Sequence, residues 1–214
     1  MNQRHYSPAD HLLMNFDQAL RTLLGRPPVT GRPDPAERHA EAELTDRERT
    51  ESARLMRVDH AGEVSAQALY QGQALTARLE QVRDRMEQAA LEENDHLAWC
   101  EQRVKALGGH TSYLNPAWYM GSLTIGAVAG LIGDKWSLGF VAETERQVIR
   151  HLDEHLQRLP SNDGKSRAVL EQMRVDEAHH GTVAMESGGV ELPGPVKGLM
   201  GLVSKVMTRT AYWI

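Results

Sequence analysis

Two stretches of this chain repeat one arrangement of carboxylates and imidazoles. Glu63 is followed 30 residues on by Glu93 and then, after three more, by His96. Glu145 is followed 32 residues on by Glu177 and, after three more, by His180. Residues three apart on a helix project from the same side, so a Glu and a His at that spacing can grip one metal ion. Four carboxylates neutralise a pair of divalent ions, and carboxylates can bridge such a pair. Imidazole suits iron, and an oxygen-rich ligand set leaves positions open for dioxygen. One Glu-x-x-His occurs by chance in many helical proteins. Two of them, each preceded at matching distance by another Glu, make a specific pattern, and the Glu within each motif is the better candidate for a bridge.

The plain alternative is that these are surface charges on ordinary helices. The residues sharing each face argue otherwise. Glu63 has Met56, Ala66 and Tyr70 at helical spacing; Glu93 has Met86, Ala89, Ala90, Leu97 and Cys100. Glu145 has Val141, Ala142, Val148, Ile149 and Leu152, and Glu177 has Leu170, Met173, Gly181 and Ala184. An unpaired carboxylate in such a stripe costs several kcal/mol or neutralises itself. Glu143, with Gly139, Arg146, Gln147 and Arg150 around it, does not share that setting. His60, Asp59, Asp95, Asp176 and His179 lie within a turn of the ligands and are candidates either to orient the imidazoles or to face solvent. Cys100 reads as a small core residue.

The elements that must position these groups are helical. The chain of 214 residues suits one domain, and its Ala, Leu, Glu, Gln and Arg runs are strong helix formers. No segment alternates with period two, so strands are not needed. A weak amphipathic stretch (Leu12, Leu13, Phe16, Leu20, Leu23, Leu24) and a proline- and glycine-rich linker from Arg26 to Pro35 make an N-terminal extension over 1–44. Thr45 and Glu48 have capping-box spacing, so helical structure starts there. Two long helices run to Leu107, broken between Gly72 and Thr76. Further helices start at Pro116, run over Ser137–Leu159 and Ser166–Ser187, and fill the segment after Pro195.

The formal net charge of −5 gives nucleic acid no basic face to hold. Cys100, the only cysteine, excludes an internal disulfide, and no apolar run follows the basic N-terminal residues as a secretory signal would require. No Rossmann fingerprint is present, so a built-in nicotinamide domain is not expected. Residues 106–133 carry no Asp, Glu, Lys or Arg, yet their glycines and the flanking Asp134-Lys135 favour a crossover between bundle halves over a membrane span. Between Pro195 and Ile214 there is no acid. Val196, Leu199, Met200, Val203, Val206 and Met207 line one side, with Lys197, Lys205 and Arg209 the only charges. That pattern fits an amphipathic helix lying on a membrane surface, the alternative being a helix docked on the bundle.

The stretch Leu55-Met56-Arg57-Val58-Asp59-His60-Ala61-Gly62-Glu63, with Glu93/His96, Glu145 and Glu177/His180, closely resembles the demethoxyubiquinone hydroxylases of ubiquinone biosynthesis. The resemblance covers about Ser52 to the C-terminus. It implies an all-α, ferritin-like four-helix bundle over 45–214 that binds two iron ions through Glu63, Glu93, His96, Glu145, Glu177 and His180. It also implies hydroxylation of the demethoxyubiquinol ring with dioxygen, NADH as ultimate reductant, and roles in activity or electron entry for His151 and Arg54. Peripheral attachment to the cytoplasmic face of a bacterial inner membrane follows as an expectation. So does company with other ubiquinone-biosynthesis proteins, and a homo-oligomer is compatible. Another di-iron oxidase or a metal-storage protein is the competing reading within the same fold.

Overall fold

The computed structural model describes residues 8–25 and 27–214; residues 1–7, Arg26 at the head of the expected linker, and the side chains of residues 8–12, 14, 15 and 24, Leu12 and Leu24 of the amphipathic stretch among them, lie outside the described residues. Among the described residues seven α-helices follow one another: α1 (Pro8–Leu24), α2 (Asp46–Thr76), α3 (Glu80–Ala106), α4 (Asn115–Ile132), α5 (Asp134–Arg158), α6 (Gly164–Glu186) and α7 (Gly194–Trp213). Among the described residues there is no strand. The architecture is a ferritin-like helical bundle in which α2, α3, α5 and α6 carry the repeated Glu and Glu-x-x-His groups.

Local chemistry sets the helix ends. Thr45 accepts from the Glu48 backbone N–H while the Glu48 carboxylate accepts from that of Thr45, closing both sides of the capping box. Asp163 caps α6 by accepting from Ser166 N. The break between the first two long helices, expected between Gly72 and Thr76, comes later, at 77–79: α2 runs unbroken through Thr76, and Asp134 accepts from the backbone N–H groups of Arg78 and Leu79.

Two apolar layers fill the bundle, with the repeated Glu and His residues between them. One joins Leu55, Met56, Trp99, Cys100, Leu152, Leu170 and Met173; the other joins Ala66, Tyr70, Met86, Ala90, Val141, Ala142 and Ala184. Cys100 is thus core, as read. The uncharged stretch forms α4, which lies along α2. A Cβ on Gly126 would sit 2.1 Å from Leu69 O, and one on Gly72 would sit 2.2 Å from Leu123 O. The glycines are therefore the condition of this close crossing. No helix among the described residues is long and apolar enough to cross a membrane.

The proline-rich stretch after residue 26 does more than connect. Pro28, Thr30 and Arg32 bond to α3 and α6, Ala36 and Leu44 enter the core, and Glu41 pairs with Arg103 at 2.9 Å. It forms a strap across the bundle. Helix α7 packs on α2 and α5 through Ala211 and Tyr212, while Leu199, Leu202, Val203 and Val206 stay exposed. The helix is docked and still presents an apolar face.

Candidate metal centre

All six repeated residues meet in the middle of the bundle. Atoms of Glu63, Glu93, His96 and Glu177 lie within 4.8 Å of one another, and so do atoms of Glu93, Glu145, Glu177 and His180. Glu93 and Glu177 belong to both groups, the shared position expected for the Glu of each motif. All six side chains are buried.

The imidazoles point inward by their Nδ1 atoms. His96 Nδ1 lies 3.0 Å from Glu93 Oε2, 3.0 Å from Glu177 Oε1 and 3.4 Å from Glu63 Oε2. His180 Nδ1 lies 3.1 Å from Glu177 Oε2 and 3.3 Å from Glu93 Oε1. The outward nitrogens are engaged by acids on the opposite motif: His96 Nε2 is 2.9 Å from Asp176, and His180 Nε2 is 2.7 Å from Glu92. An Nε2–H donated to those carboxylates leaves Nδ1 free to ligate, which fixes tautomer and ring orientation together.

Among the described residues, five carboxylate oxygens in the cluster (Glu63 Oε2, Glu93 Oε1, Glu177 Oε1 and both of Glu145) are buried without a hydrogen-bond partner. Burial and the neighbouring Glu93 push the Glu63 carboxyl well above the ordinary range, and burial with Glu177 does the same to Glu145. Burial alone would lower His96, but Glu93, Asp176 and Glu177 outweigh it and hold the imidazole well above its usual value. His180 is raised against burial by Glu177, Glu92 and Glu93. The cluster calls for positive charge at its centre. Two divalent cations fit that demand in ligand type, in number and in charge, four carboxylates against four positive charges.

The neighbours divide. Asp176 serves His96, as one of the expected orienting groups, while Asp95 binds the strap instead. Asp59 accepts from His155 Nδ1 at 2.7 Å, His60 faces Asn115 in the core, and His179 is exposed. Glu143 proves buried, bonded to Gln147 and Arg146 and covered by α7. His151 does not join the metal cluster; it lies beside His155 with ring centroids 4.6 Å apart. Arg54 is also outside the cluster, its guanidinium stacked on Trp213 and Tyr212 at 4.4 and 5.3 Å.

Sequence reasoning missed Glu92 and Arg32. A signal for Glu92 existed, because each Glu-x-x-His is preceded directly by an acid, and each of those acids reaches the histidine of the other motif.

A cavity of about 290 Å³ opens beside the cluster, between α2, α4, α5 and α7. Leu69, Trp118, Ile125, Phe140, Val148 and Met200 make its walls apolar; Glu63, Asp59 and His151 are its titratable lining groups, beside the neutral Ser65, Thr144 and Gln147, and Leu199 and Val203 line it from α7. On the other side of His151 and His155 lies a cleft edged by Arg150, Arg158, Lys205 and Arg209 and by one acid, Glu154.

Residues 50–211 match the family model described as ubiquinone biosynthesis protein COQ7. Among similar proteins, the 3-demethoxyubiquinol 3-hydroxylase of Nitrosococcus oceani is 63% identical over 214 residues, spanning the whole of both chains. The enzyme of that name from Stutzerimonas stutzeri is 64% identical over 213 residues, covering 100% of this chain and 99% of its own. That of Pseudomonas fluorescens Pf-5 is 60% identical over 215 residues, covering 99% of each.

Proposed function

The chain belongs to the ubiquinone biosynthesis protein COQ7 family and is a hydroxylase of that pathway, and on this premise we propose that it hydroxylates the demethoxyubiquinol ring with dioxygen at a two-iron centre. The observation that carries the reading is the apolar cavity, which leads from the exposed face of α7 to Glu63. Glu63, Glu93, His96 and Glu177 would hold one iron ion and Glu93, Glu145, Glu177 and His180 the other. When bound, the ions supply the activation of dioxygen.

The chain's own groups do the rest. The aromatic and aliphatic walls at Trp118, Phe140 and Leu69 receive a ring and exclude water around it. Asp59 and His151 are placed to meet its hydroxyl oxygens. The cleft edged by Arg150, Arg158, Lys205 and Arg209 has the charge to receive an anionic reductant such as NADH, with Arg54 close by on the Tyr212–Trp213 pair. We place the protein at the cytoplasmic face of a bacterial inner membrane, held peripherally. The support is the exposed Leu199, Leu202, Val203 and Val206 of α7 beside its basic residues, and exposed Met120, Val128 and Leu131 on α4. Alkaline carbonate extraction should release it into the supernatant.

The test is complementation of a ubiquinone-deficient strain, following the demethoxy intermediate by mass spectrometry. Wild type should restore ubiquinone, and Glu177→Ala should leave the intermediate accumulating. Full rescue by that variant would refute the mechanism.

A further inference from the structure

The two halves of the centre are built alike, but their outer supports differ. Glu92, which engages His180, is about a third exposed; among the described residues its one further hydrogen bond is from Gln88 at 2.9 Å, and Arg32 reaches it only through its charge, without a hydrogen bond. Asp176, which engages His96, is more deeply placed and is gripped from two sides. Gln172 donates to its Oδ1 at 2.9 Å, and Arg32 Nη1 donates to its Oδ2 at 2.8 Å, the same oxygen that receives His96 Nε2.

Arg32 comes from the N-terminal strap, outside the residues matched by the family model. Its place there is over-determined. Arg32 Nε donates to Asp95 at 2.7 Å, and its guanidinium lies 5.0 Å from the Trp99 ring centroid. Thr30 donates to Asp95 through its backbone N–H at 2.8 Å and through its hydroxyl, and Pro28 O accepts from Asn94. Gly31 turns the chain between them at φ 87°, a conformation that glycine adopts without strain. Asp95 thus anchors the strap, and the strap delivers one arginine to the carboxylate behind His96. A charge-assisted bond of this kind is roughly twice as strong as a neutral one and confines the acceptor.

We propose that Arg32 is a positioning residue that, through Asp176, locks His96 onto its metal ion, making the two ions of the centre unequal in their rate of release. The proposal rests on the two-metal reading above. The ion among Glu63, Glu93, His96 and Glu177 is the slowly released one; the ion at His180, supported by exposed Glu92, leaves first.

The full-length chain, loaded anaerobically with two equivalents of ferrous iron, is mixed with a colour-forming ferrous chelator and release is followed in time. Wild type should lose iron in two phases of equal amplitude. Arg32→Gln should accelerate the slow phase by about tenfold, in the range seen when an outer partner of a ligand is lost, and leave the fast phase within about twofold. Asp176→Asn should accelerate the same phase, and the double variant should be no faster than Asp176→Asn alone. Glu41→Gln loosens the same N-terminal segment at Arg103, about two turns along α3 from His96, and should change neither phase. Unchanged release in Arg32→Gln, equal acceleration by Glu41→Gln, or single-phase release from wild type each overturns the proposal while leaving the two-metal centre standing. A wild-type chain that takes up fewer than two ions overturns that reading and the proposal with it.

Discussion

Glu145 offers a substitution whose effect should change sign with the metal. Both of its carboxylate oxygens are buried without a hydrogen-bond partner, and burial with the neighbouring Glu177 raises its pKa. Methionine matches its length without a polar atom; the Glu145 stem lies beside Gly181, and its tip faces Glu93, Glu177 and His180. In metal-free protein, Glu145→Met removes a buried polar group left unsatisfied, a burden of about 1–3 kcal/mol. At a central value of about 2 kcal/mol, a chain of this size should gain roughly 4–8 °C in Tm. The gain should grow as pH rises. A raised folded pKa means that the native state holds the proton longer, so wild type loses stability above the ordinary 4.5, whereas below it the group is protonated folded and unfolded alike. In ferrous-loaded protein the same change removes a ligand. If affinity falls about a hundredfold, linkage removes up to about 2.7 kcal/mol, and the variant should melt below wild type. Differential scanning calorimetry with and without ferrous iron, at pH 5 and pH 7.5, reads all of these effects. A variant less stable than wild type in both metal states would refute the reasoning, because Glu145 would then be a packing residue.

Other consequences are simpler to check. Burial holds His60 down to about 4 from an ordinary 6.5, so the stability of the neutral ring is present above 6.5 and lost as pH falls through about 4. His60→Gln should remove about 3 kcal/mol of that acid sensitivity in urea titrations; an unaltered pH slope would contradict it. Gly126→Ala drives a Cβ onto the Leu69 carbonyl and should cost at least about 1–3 kcal/mol, while Gly121→Ala, with nothing within 4 Å, should be neutral or stabilising. Equal effects at the two glycines would mean that α4 does not cross α2 this closely. Exposed Leu202 and Val206 changed together to Glu should weaken cosedimentation with anionic vesicles by about tenfold or more at unchanged Tm. Undiminished vesicle binding would exclude α7 as the attachment surface.

The six clustered residues could be picked out in the sequence because their evidence is local. A Glu and a His three apart, apolar neighbours at helical spacing, and a second copy of the same motif are all written along single helices. So was the start of α2, where Thr45 and Glu48 sit three residues apart. Groups brought from other elements were not legible in the same way. Arg32 meets Asp176 across 144 residues, and nothing in a proline-rich stretch tells that one of its arginines will face a ligand's partner. Glu143 has polar neighbours on its own helix, yet it is buried because α7 covers it with Lys197. His151 and Arg54 were found through resemblance, and the structure sets them around the cavity and cleft, away from the cluster of six.

The central claim is that six buried side chains hold two iron ions that Glu93 and Glu177 share. Anomalous diffraction at the iron edge from iron-loaded crystals tests it directly. The account predicts two peaks per chain, one beside His96 Nδ1 and Glu63 and one beside His180 Nδ1 and Glu145, with Glu93 and Glu177 reaching both. A single peak, or iron bound instead at outer acids such as Asp95 or Glu92, would contradict it.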